Sequence, residues 1–180
     1  MSSLKNAYDR VSLSEKTFIL RNLTTNGLIA GVQEAAVNGS VIPVKYYIQP
    51  LTNEVYELSI VSIVVSDGGS SIAINNYGSI TGPLTNGIRF FTEINGTETL
   101  LGLGFKSNKK LVDLGPDRDR ISYNAVTLSV YDFNINRYTE NGIILNGGNN
   151  DKFGVIVQDD LSDLTSQTFA VKGSLRLRTV

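Results

Sequence analysis

The chain has 180 residues, with 16 Lys and Arg against 17 Asp and Glu, and no His, Cys or Trp. Those absences exclude a cysteine nucleophile, a disulfide, a Ser-His-Asp triad and a zinc site built on thiolate or imidazole. A formal net charge of −1 argues against general nucleic-acid binding, which needs a dense basic footprint. Asp and Glu remain the only acid–base candidates.

In chain order, residues 1–16 are expected to form an extended or short helical arm, with one short helix over 3–10. Thr17 to Leu20 reads as an apolar strand. Ser40 to Gln49 is rich in Val, Ile and Tyr; Pro43 cannot donate to a ladder, which predicts an edge or a bulge there. Glu54 to Ser66 is the best strand. Strict alternation puts Val55, Glu57, Ser59, Val61, Ile63 and Val65 on one face and Tyr56, Leu58, Ile60, Ser62 and Val64 on the other. Both faces are largely apolar, as in a central strand covered on both sides. Asp67-Gly68-Gly69 ends it, and 66–87 reads as a long surface loop.

Gly87 to Ile94 and Thr97 to Leu103 flank Asn95-Gly96 and predict a hairpin. Lys106 to Arg120 reads as a polar loop around Gly115-Pro116-Asp117. Ile121 to Phe133 alternates as one strand. Lys152 to Gln158 and Gln167 to Leu177 are the last two strands, with a single helical turn expected within Asp159 to Ser166.

Asn-Gly occurs six times: at Asn26, Asn38, Asn86, Asn95, Asn141 and Asn146. A type I′ hairpin turn needs positive φ at both central residues, which Asn tolerates and Gly prefers. No stretch has the period of a long helix. These patterns predict an all-β single domain over 1–180: an antiparallel β-sandwich or jelly roll of eight or more strands, with at most one or two short helices.

Charged residues are 18% of the chain, below the roughly 25% of typical soluble domains. A low-charge surface suits a subunit packed against neighbours; a Ser/Thr/Asn-rich monomer is the plainer alternative. No apolar window approaches the length of a membrane span, so no membrane partner is expected. The opening Met1 to Asn6 lacks the apolar stretch of a signal peptide.

Candidate chemistry is sparse. Asp159, Asp160 and Asp163, and Asn149, Asn150 and Asp151, are oxygen-rich runs of the kind calcium requires. Neither follows the EF-hand spacing, and turn chemistry explains both. Lys172, Arg176 and Arg178 are expected to share one strand face, as a solvated face rather than a phosphate site. Asp117-Arg118-Asp119-Arg120 alternates in sign, as an exposed loop or an interface clamp would. Tyr46-Tyr47 and Phe90-Phe91 each send one ring to the core and one outward, the outward ring suiting an interface or a sugar-stacking site. Asn22, Asn38 and Asn95 head glycosylation sequons, two of which turns already explain. No catalytic, cofactor-binding or metal-binding residue is assigned, and the chain is expected not to be an enzyme. A carboxylate hydrolase is the residual catalytic option.

Three stretches resemble small structural virion proteins of tailed bacteriophages: Ala7 to Val11, the hairpin Ile88 to Leu101, and Asn149 to Leu175 with its Asp-Asp-Leu-Ser-x-Leu-Thr turn. Together they cover about a third of the chain. The resemblance implies a capsid decoration or cement protein, or a connector, tail or fibre component. It further implies a homo-oligomer that binds copies of itself and other virion proteins such as a major capsid protein. The chain would be located in the virion after assembly in the bacterial host cytoplasm. A carbohydrate-binding, receptor-recognising β-sandwich module is the alternative.

Overall fold

A computed structural model describes residues 14–20, 28–29, 33–35, 37–66, 76–78, 80–106, 119–124, 128–135, 142–164 and 166–178. The strands are β1 (Ser14–Ile19), β2 (Leu28–Ile29), β3 (Gln33–Ala35), β4 (Val44–Ile48), β5 (Glu54–Ser66), β6 (Ile88–Ile94), β7 (Thr97–Phe105), β8 (Asp119–Asn124), β9 (Leu128–Asn134), β10 (Ile143–Asn146), β11 (Lys152–Val157) and β12 (Ser166–Leu177). A 3-10 turn lies at Gly147–Asn149. Among the described residues no helix is long and apolar enough to cross a membrane.

The strands form an eight-stranded and a four-stranded sheet, with every pair antiparallel. The long pair β5–β12 organises the large sheet. Its one half is flanked by β1 and β10, giving the order β1-β12-β5-β10; the facing sheet runs β4-β11-β6-β7. Along these eight strands the chain changes sheet at every connection except the β6–β7 hairpin. That winding is a jelly roll. The other half of β5–β12 carries the extra strands in the order β2-β3-β12-β5-β9-β8.

Between the two sheets lies one core. It includes Tyr56, Leu58, Val61, Ile143, Leu145, Phe169 and Val171 from the large sheet, and Tyr46, Ile48, Ile88, Phe90, Phe153, Val155 and Val157 from the small one. The faces expected for β5 are corrected here. Ile60 pairs with Lys172 but Leu58 pairs with Gly173, so Ser59 is an extra residue whose hydroxyl donates to the Lys172 carbonyl at 3.0 Å. A bulge reverses the alternation. Tyr56 and Leu58 therefore share the core with Val61 instead of opposing it.

Other expectations divide. β5, β6, β7, β11 and β12 lie within a few residues of their expected bounds, and β4 begins directly after Pro43. The run 121–133 is two strands, β8 and β9, paired with each other; alternation alone does not distinguish one long strand from a hairpin. β2, β3 and β10 were not expected. Residues 14–16 of the expected arm belong to β1; the helix over 3–10 and most of the loop 106–120 lie outside the described residues. In place of a helical turn after Asp159, the chain makes one reverse turn closed by Leu164 N–H donating to Leu161 at 3.0 Å.

Only Asn95-Gly96, among the described Asn-Gly pairs, has positive φ at both residues (50° and 77°) and joins adjacent strands. Asn38 forms a bridge to Asp160, Asn86-Gly87 docks on Asp159, and Asn146 caps the 3-10 turn. Asn26-Gly27 lies outside the described residues, as does Asn141.

Candidate functional site

Strand direction sorts the connections to two ends. The loop end gathers the segment before β4, the segment before β6, the end of β7 and the β11–β12 connection. The turn end gathers Leu51–Asn53, Asn95–Gly96, the 3-10 turn and Arg178.

The loop end carries a built protrusion. Val44 pairs with Val157 and Asn38 with Asp160, so residues 39–43 must bulge from the edge of the small sheet. Its base is tied by Gly39 N–H to the Asp159 carbonyl and Leu161 N–H to the Val37 carbonyl, both at 2.9 Å. Asn38 braces the ascending side: its Oδ1 accepts from the Ser40 amide (3.0 Å) and hydroxyl (2.6 Å), while its Nδ2 donates to Asp160 Oδ2 at 2.7 Å. Pro43 limits φ on the descending side. At the tip, Val41 is 84% exposed and Ile42 73%. Two aliphatic side chains are thus held in solvent on a braced loop. Gly39 has no room for a side chain, because a methyl there would overlap the Val157 carbonyl.

The acidic runs are occupied by hydrogen-bond donors. Buried Asp159 accepts from three consecutive amides: Thr85 (2.8 Å), Asn86 (3.0 and 3.1 Å) and Gly87 (2.7 Å). Asp160 Oδ1 accepts from the Ser162 hydroxyl and amide, which hold its carboxyl below the usual carboxylate range. At the turn end, buried Asp151 accepts from the Asn95 and Asn146 amides, each at 2.9 Å. Asn150 accepts from Gln49. These are turn clamps, with donors where a cation would need acceptors. No group of three or more His, Cys, Asp or Glu among the described residues is placed to hold a metal.

The outer face of the small sheet holds the second ring of each aromatic pair. Tyr46 and Phe90 lie in the core; Tyr47 and Phe91 share a cross-strand row with Gly154 and Leu100. Gly154 has no side chain, and the Phe91 ring lies across it. Lys45 spans Phe91, with Nζ 5.2 Å from the ring centroid, to reach Glu98 at 2.6 Å. Lys152 sits 5.8 Å from the Tyr47 centroid and pairs with Glu93 at 2.8 Å. Phe91 is buried beneath this roof, while Tyr47 is half-buried.

At the turn end, Leu51 is 67% and Leu177 60% exposed. Leu177 pairs with Glu54, whose amide donates to the Leu51 carbonyl, while the Arg178 amide donates to Asn53. Glu54 Oε2 accepts from the Leu51 amide (3.0 Å) and the Tyr56 hydroxyl (2.8 Å). Burial, then that hydrogen bond and the Glu54 charge, push the Tyr56 phenol well above its ordinary range.

Of the cationic trio, Lys172 and Arg176 do share the outer face of β12, where Glu57 lies 3.8 Å from Arg176; Arg178 lies beyond the strand at the turn end. Asp117 and Arg118 lie outside the described residues, as does Asn22. Sequence reasoning passed over Val41, Ile42 and Leu51. Val41-Ile42 read as strand interior, and only Pro43 signalled a break. No protein-family model matches the sequence, and no curated protein matches it.

Proposed function

We propose that the chain is a structural virion protein of a bacteriophage: a capsid decoration or cement subunit, or a head–tail or tail component. It works by tiling against copies of itself and neighbouring virion proteins. The observation that carries this reading is the braced loop presenting Val41 and Ile42 to solvent. Exposed aliphatic side chains held rigid suit an assembly contact, because little conformational entropy is left to lose on binding. The architecture is compatible, since jelly rolls serve in viral capsids as well as in lectins and cupins.

Quantitative mass spectrometry of particles from the phage whose genome encodes the chain tests the reading. Hundreds of copies per particle are expected for a decoration protein, and six or twelve for a connector or tail-end component. Absence from purified particles would remove it. The half-buried Tyr47 ring favours a second reading, a carbohydrate-binding receptor module. A glycan array with no binding at millimolar sugar would dispose of that.

A further inference from the structure

We propose that Asn95 is a site of spontaneous covalent modification, at which the folded chain loses ammonia and its hairpin turn becomes anionic. Asn is a thermolabile residue, and Asn-Gly is the dipeptide that most readily permits the reaction, because glycine puts no side chain in the way of a close approach to its backbone. The Gly96 nitrogen bonds to Asn95 Cγ, the Cγ–Nδ2 bond breaks, and ammonia leaves with the proton from the Gly96 amide. Water then opens the cyclic imide at either carbonyl. One opening gives aspartate; the other gives isoaspartate, in which the main chain runs through the side-chain carbonyl.

Attack needs a side chain free to swing over the next nitrogen and an amide free to react. The fold withholds both from the other described Asn-Gly pairs. The Asn38 side chain accepts from the Ser40 amide and hydroxyl and donates to Asp160, while the Gly39 amide donates to the Asp159 carbonyl. Asn86 Nδ2 donates to the Gln158 carbonyl at 2.9 Å, and the buried Gly87 amide donates to Asp159 at 2.7 Å. Asn146 Oδ1 accepts from the Gly148 amide at 3.0 Å, and buried Gly147 is packed on the Leu51 carbonyl. Asn95 and Gly96 are exposed, and a side chain at Gly96 would meet nothing within 4 Å. Among the described residues, neither the Asn95 side chain nor the Gly96 amide has a hydrogen-bond partner.

The new charge arrives beside acidic groups. The Asn95 amide donates to buried Asp151, and Glu93 faces Glu98 across the adjoining strands, each paired with a lysine. Isoaspartate also adds a methylene to the main chain of a two-residue turn, which should release the amide from Asp151. The modification is therefore a one-way change at the turn end that leaves the loop end as it was.

The test is peptide mapping by mass spectrometry of the full chain incubated at mildly alkaline pH, with each folded rate read against the rate of the same pair in denaturant. Asn95 should keep reacting in the folded chain. Asn38, Asn86 and Asn146 react only after local opening, so each should be slowed at least about tenfold more than Asn95. Asp159→Ala should speed the reaction at Asn86 and leave Asn146 unchanged, which separates a lost guard from general unfolding. Hydrogen exchange should find the Asn95 amide unprotected in the isoaspartate chain and still protected in Asn95→Asp. Slowing of Asn95 to the level of the other three, or any of them keeping pace with it, would overturn the proposal, as would an Asp159→Ala chain in which Asn86 stays slow. This chemistry is independent of any role in a virion, so either reading can fail without the other.

Discussion

Strand β11 is bracketed by two buried aspartates, and the two ends of the molecule use them differently. Asp151, at the turn end, accepts one amide from each of two tight turns, Asn95 and Asn146. Asp159, at the loop end, accepts three consecutive amides from a single segment, Thr85 to Gly87. A tight turn closes much of its own backbone bonding, so one carboxylate oxygen suffices for each. A long connection has no neighbouring strand to bond to, so it needs an anchor that satisfies several donors at once. The loop end thus acquires a rigid base, and the protrusion at Val41 and Ile42 stands on it.

The largest effects should come from backbone contacts that leave no space. A methyl at Gly147 would overlap the Leu51 carbonyl, and one at Gly39 the Val157 carbonyl. Gly147→Ala and Gly39→Ala should each cost about 3 kcal/mol, the upper range for overpacking, because backbone rather than a mobile side chain must yield. Urea unfolding followed by circular dichroism would measure this. A loss under about 1 kcal/mol at either site would mean that its corner relaxes.

The clamps come next. Asp159→Ala should cost about 3 kcal/mol and Asp151→Ala about 2, since an unsatisfied buried donor costs about 1–3 kcal/mol and Asp159 serves more of them. Hydrogen exchange would sharpen the contrast. Asp159→Ala should expose the amides of 85–87 while leaving Asn95 and Asn146 protected. Equal loss at both ends would erase the distinction drawn between them.

Asn95→Ala should cost about 1 kcal/mol, because alanine lacks the tolerance of Asn for left-handed backbone, and Asn95 sits at φ 50°. The same change at Asn86 should leave the backbone bonds to Asp159 in place and cost less. Thermal denaturation of the two variants compares them directly.

The smallest effect concerns pH. The folded-state pKa of Asp160 is lowered by its bonds from Ser162. Its contribution is therefore present above the ordinary carboxyl range and lost as pH falls through the lowered folded value. The thermal midpoints of wild type and Asp160→Asn should differ at neutral pH and converge in acid. A constant difference across the range would assign the effect to shape rather than charge.

Much of the fold was legible locally. The hairpin at Asn95-Gly96 follows from two residues that accept positive φ between two β-type runs, and the zeros in His and Cys hold whatever the fold. Other features were not legible, because they depend on what lies across the sheet. Nothing in EVYELSIVSIVVS marks Ser59 as the residue left over; the bulge exists because Leu58 and Val61 must both face the same core. Asn38-Gly39, Asn86-Gly87 and Asn146-Gly147 resemble Asn95-Gly96 in sequence, yet their roles were set by Asp160, Asp159 and the 3-10 turn.

What the amino-acid sequence determined by itself was the class: an all-β chain of short strands, with no imidazole or thiol chemistry and few charges. Tertiary structure alone decided where the surface chemistry lies. Val41 and Ile42 carry the residue types of a strand interior. They stand in solvent because the bridge at Asn38 and the pairing at Val44 leave five residues opposite two. Exposure is set by the pairing of distant segments, and local residue pattern does not encode that pairing.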